Sequence, residues 1–180
     1  MEIKISTEKM LDILYVLSWI IFIGLCVEAG SFLFNAVFTT LFNPNAASYF
    51  GLSELYHYDA GYFAVELLLM GIPAIMKAIM FYLIVKVLQE KKLNLTQPFN
   101  KETGRLIFNV SYLAFGIGLF SYWGVRYTEW FVSLGIKMPD MQNLRLDGAD
   151  VWMFMGITLF VIAQIFKRGI EIQSENELTI

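Results

Sequence analysis

The chain has 180 residues, 57% of them hydrophobic and 16% charged, with a formal net charge of −3. A soluble domain of this length needs far more polar surface, so the apolar excess belongs against lipid, and the lack of a dense basic patch argues against direct nucleic-acid binding. Cys26 is the single cysteine, which excludes an intramolecular disulfide, and no CxxC or paired metal-ligand spacing occurs.

A bilayer core about 30 Å thick takes about 20 mainly apolar helical residues to cross, and four stretches meet that requirement. The first, about 11–41, follows Lys4 and Lys9 and is closed by Pro44. It is much longer than the roughly 7–15 apolar residues of a cleavable signal peptide, so it reads as a retained anchor. The second, about 61–89, contains Pro73, which predicts a kink because proline removes one backbone hydrogen bond. Lys77 near its middle costs about 3 kcal/mol on insertion scales, and the surrounding Leu, Ile, Met, Phe and Val residues return about 0.3–0.6 kcal/mol each. That near balance implies insertion with help from neighbouring helices. The third, about 103–132, follows Pro98, with Asn100 as its N-cap and Glu102 near the positive end of the helix dipole. The fourth, about 150–170, follows Asp147, Gly148 and Asp150 and extends as a helix beyond the membrane. The expected fold is an all-α membrane protein, a four-transmembrane-helix bundle occupying residues 1–180 as a single domain.

Lys86, Lys91, Lys92, Lys101 and Arg105 surround the connection between the second and third segments, and Lys167 and Arg168 close the fourth. The connection between the first and second carries neither Lys nor Arg. Positive residues mark the cytoplasmic side, which puts both termini and the middle loop inside. Tyr49, Phe50, Tyr56, Tyr58, Tyr62, Tyr122, Trp123, Tyr127, Trp130 and Trp152 gather at the opposite ends, as an interfacial aromatic belt does.

Five ionisable residues fall inside the spans: Glu28, Glu66, Lys77, Arg126 and Glu129. Counted at about 1.5 Å per residue, Lys77 lies about 16 Å from the inner end and the other four in the outer leaflet or its interface. Unpaired charges are costly there, so the expected partners are Glu66 with Arg126, Glu28 with Lys77, and Arg126 with Glu129 on one helix face. Two readings stay open. The cluster lines an outward-facing cavity for a small ligand or ion, or it is polar glue that fixes helix partners. Ala114 and Gly118 form a small-xxx-small pair suited to a neighbouring helix or to a second protomer in a homo-oligomer. Gln164 suits an interhelical hydrogen bond. His57 between Glu54 and Asp59 is a loose metal-ligand set, more simply read as solvated loop, so neither metal nor cofactor is expected. No HExxH, GxSxG, P-loop or Rossmann fingerprint occurs, and the expectation is a protein that is not an enzyme.

Two stretches carry a family likeness: "QPFNKETGRL" before the third segment and "AQIFKRGIEIQSENELTI" at the end of the chain. They resemble the bacterial membrane proteins described as domain of unknown function 2975, with Phe166, Gly169, Glu175, Glu177, Leu178, Thr179 and Ile180 at the positions of its terminal motif. The resemblance implies four membrane helices, a multi-pass place in the bacterial plasma (inner) membrane, and association with a small cytosolic helix-turn-helix DNA-binding regulator. It carries over no activity and no role for the intramembrane charges. The residues suit such docking, since Glu171 and Glu175 stand at i, i+4 and, with Glu177, lead to the apolar Leu178 and Ile180. The leading expectation is a sensing or regulatory membrane component. The alternative is a small transporter or ligand- or ion-binding protein built on the charged cluster.

Overall fold

The computed structural model describes residues 7–90 and 100–177. The expectations that rest on Lys4, Lys91, Lys92, Pro98, Leu178, Thr179 and Ile180 lie outside the described residues. Four long helices are apolar enough to cross a membrane: α1 (Thr7–Leu41), α3 (Ala60–Gln89), α4 (Lys101–Ser133) and α5 (Ala149–Glu177). The described residues are otherwise a 3-10 helix (Pro44–Phe50), the short helix α2 (Ser53–Tyr58) and loops, with no strand.

The ends of these helices follow from side-chain chemistry. Asn100 Oδ1 accepts from the Thr103 amide at 2.7 Å, which satisfies a donor that the first turn of α4 leaves open. Asp59 does the same for α3, accepting from the Tyr62 amide at 2.9 Å. α1 stops at Leu41. Pro44 then opens the 3-10 helix, capped by Asn43, whose side chain accepts from the Asn45 amide at 3.1 Å. Gly51 ends that helix at φ +71, a conformation that suits glycine. Gly148, at φ +74, turns the chain into α5. Pro73 lies inside α3, which continues past it to Gln89.

The long helices stand in an open row. α1 packs on α3, α3 on α4 and α4 on α5, while α1 and α5 do not meet. At one end, here the cap end, the 3-10 helix, α2 and the 134–148 loop fold over the helices. Ala47, Leu52, Leu55, Leu144 and Leu146 join Phe32, Phe63, Leu67, Met70 and Phe131 in one buried cluster. The Lys137 amide donates to Glu54 Oε2 at 2.9 Å, tying that loop to α2. The opposite end, the base end, carries the starts of α1 and α4 and the ends of α3 and α5.

α4 and α5 make the closest contact, and glycine permits it. A Cβ at Gly118 would come within 2.7 Å of the Met153 amide nitrogen and 2.8 Å of the Ala149 carbonyl oxygen. A Cβ at Gly156 would lie 2.6 Å from the Phe115 amide nitrogen. Bare backbone on both helices lets them approach as small-residue seams do in membranes. Gly118 thus seats α5, a neighbour within the chain, and Ala114 one turn away is fully buried. Because α5 starts opposite the Gly118 region, α4 rises about 20 Å beyond it toward the cap.

Candidate functional site

Glu66 on α3 is a fully buried carboxyl. Thr128 Oγ1 on α4 lies 2.9 Å from Glu66 Oε1 and 3.0 Å from the Gly124 carbonyl oxygen. The hydroxyl has one proton for these two acceptors. Among the described residues Glu66 Oε2 has no hydrogen-bond partner, and neither does the buried Ser121 Oγ, two turns from Thr128 on α4. Between Ser121 and Thr128 on α4, Gly124 admits Leu146 so closely that a Cβ there would lie 2.8 Å from the leucine methyls.

The expected Glu66–Arg126 pair does not form. Thr128, not Arg126, faces α3, because two residues rotate about 200° around a helix. Arg126 is exposed and bonds locally. Its Nη1 donates to Glu129 Oε2 at 3.0 Å, its Nε donates to the Tyr122 hydroxyl at 3.2 Å, and its guanidinium lies 5.3 Å from the Tyr122 ring centroid. A signal for the real partner was present in the sequence. Ala114, Gly118, Ser121, Gly124 and Thr128 are small residues at helical spacing, and they mark the face of α4 that packs.

Glu28 and Lys77 also form no ion pair among the described residues, although Glu28, Asp147 and Arg145 all lie within electrostatic reach of Lys77. The Lys77 ammonium instead sits 5.5 Å from the Trp152 ring centroid at the start of α5, a cation–π arrangement. The five charges are therefore distributed: Glu66 in the interior, Lys77 against Trp152 with Glu28 of α1 within electrostatic reach, and Arg126 with Glu129 on the surface.

At the base end, α5 runs without a break from the membrane segment to Glu177. Ile170 holds this extension against α4, since a Cβ at Gly104 would lie 3.2 Å from Ile170 Cδ1. Arg168 Nη1 pairs with Glu171 Oε2 at 3.0 Å, and Ile172 is exposed. Glu175 follows one turn on. Between the base ends of α3 and α4 lies a groove of about 480 Å³ lined by the basic Lys86 and Arg105, the acidic Glu90 and Glu102, and Leu83, Val87, Leu106 and Asn109. His57 is exposed on α2, and no group of three metal-ligating side chains occurs among the described residues. Gln164 is exposed on α5 and makes no interhelical hydrogen bond among the described residues.

Four apolar helices of spanning length, with charges held in their interior and at their ends, define an integral membrane protein. Residues 47–180 match the model of the family described as protein of unknown function DUF2975, and the chain belongs to that family. No curated protein and no solved structure matches the chain.

Proposed function

We propose that this protein is a non-enzymatic regulatory component of the bacterial plasma membrane that docks a small basic DNA-binding regulator on the C-terminal extension of α5. The observation that carries the reading is the unbroken helix beyond Lys167 and Arg168, which extends about 14 Å past Arg168 and presents Glu171 and Glu175 on one face. An acidic helix tethered rigidly to a membrane segment suits a basic helical partner. The base end faces the cytosol in this reading, because Lys86, Lys101, Arg105, Lys167 and Arg168 all lie there. The test is affinity capture from native membranes in mild detergent with the full chain, with a chain ending at Gly169, and with Glu171→Lys/Glu175→Lys. The full chain retains a small DNA-binding protein and both variants lose it. Equal retention by all three, or no such protein with any, overturns the proposal.

A second reading, a ligand- or ion-binding role, is favoured by one observation: the orphaned Glu66 Oε2 and Ser121 Oγ in the interior. Buried polar atoms without partners are rare enough to need an occupant or a use. The dispersal of the other four charges gives this reading a smaller site than the sequence suggested. Ligand-dependent stabilisation that disappears in Glu66→Gln but persists in Arg126→Gln would support it, and stabilisation indifferent to Glu66 would remove it.

A further inference from the structure

The groove at the base ends of α3 and α4 has features that the docking reading does not use. Lys86 and Arg105 flank it from opposite helices, and neither has an ion-pair or hydrogen-bond partner among the described residues. Both are exposed. Glu90 and Glu102 also line the groove and are engaged in interactions of their own. Leu83, Val87 and Leu106 make the apolar part of the lining. Arg105 is four residues from the start of α4 and Lys86 three residues from the end of α3, so both stand at the depth where a spanning helix leaves hydrocarbon for headgroups.

Asn109 adds a third feature. It lies one turn deeper than Arg105 on the same face of α4, about 6 Å further into the membrane. Its exposed amide has no partner among the described residues. An unpaired amide facing lipid is costly, and the cost is relieved by an acceptor that belongs to the bilayer. A glycerophospholipid has that layout: an anionic phosphate at the interface, ester carbonyls several ångströms deeper, then acyl chains.

We propose that this groove binds one anionic phospholipid of the adjoining leaflet. The phosphate accepts from Lys86 and Arg105, an ester carbonyl accepts from the Asn109 amide, and the acyl chains lie on Leu83 and Leu106. Basic pockets between membrane helices hold anionic headgroups in this way, and each Lys or Arg near the surface adds about 1 kcal/mol. The site is independent of partner docking, since none of its residues lies on α5.

The test is native mass spectrometry of the full chain released from nanodiscs of phosphatidylcholine, with and without phosphatidylglycerol, alongside thermal unfolding in the same discs. Wild type retains one phosphatidylglycerol and unfolds at a higher temperature when it is present. Lys86→Gln and Arg105→Gln each reduce retention at least fivefold, and Asn109→Leu reduces it less. Lys101→Gln, an exposed basic residue outside the groove, retains lipid like wild type. Retention unchanged in Lys86→Gln and Arg105→Gln overturns the proposal, as does an equal loss in Lys101→Gln, which would mean only a diffuse surface potential. Displacement of the lipid by millimolar inorganic phosphate would also overturn it, by assigning the site to a free anion.

Discussion

Glu66 and Thr128 show how a polar residue is tolerated in a membrane interior. A buried carboxyl left without any donor costs more than the hydrogen bond it loses, whereas removing both partners together is nearly neutral. Thr128→Val should therefore lower stability by about 1–2 kcal/mol. Adding Glu66→Met to it should restore most of that loss, as read by unfolding in detergent over a double-mutant cycle. Arg126→Ala should leave the unfolding midpoint unchanged, because the guanidinium is exposed and its bonds are local. If Arg126→Ala destabilises as much as Thr128→Val, the assignment of partners is wrong. In the sequence, charge complementarity pointed to Arg126, but the helical phase of the small residues on α4 decides which side chain turns inward. A carboxylate can be matched by a hydroxyl, and a search for opposite charges passes over that.

The four long helices were legible as elements because each combines length with a mainly apolar composition, and Asn100 marked one start correctly. The 3-10 helix and α2 were not legible. Ala47, Leu52 and Leu55 are buried in one cluster with Leu144 and Leu146, far along the chain, and no local periodicity announces that. Part of the aromatic belt belongs to the same fold: Phe50 lies 5.0 Å from Phe32, and Tyr56 lies 5.2 Å from Phe63, between ring centroids. The seam between α4 and α5 gives a sharp contrast among glycines. Gly118→Ala and Gly156→Ala each place a methyl against opposing backbone, and should cost about 1–3 kcal/mol by forcing the helices apart. Gly24→Ala on α1 meets nothing within 4 Å and should cost nothing. Loss of stability at Gly24 equal to that at Gly118 would refute close packing as the reason.

For the whole molecule, the proposed orientation, with the base end in the cytosol, can be tested directly. With Cys26 replaced by Ser, a single cysteine at Lys137 in the cap should react with an impermeant maleimide on intact cells, and one at Ser174 should react only after lysis. The reverse pattern would invert the orientation. The open row of helices also leaves α1 and α5 each with one neighbour among the long helices, so both present most of their surface to lipid.

The late start of α5 against α4 has a further consequence. The apolar run of α5, Val151 to Phe166, spans about 24 Å, while that of α1, Ile13 to Leu41, spans about 43 Å. No flat bilayer matches both. Hydrocarbon beside α5 must thin, and α1 must tilt or stretch the leaflets around it, so the protein imposes a slope on the surrounding membrane. Two copies that bring their thinned margins together share one dimple where they would otherwise make two, which gives them an attraction that needs no direct protein contact.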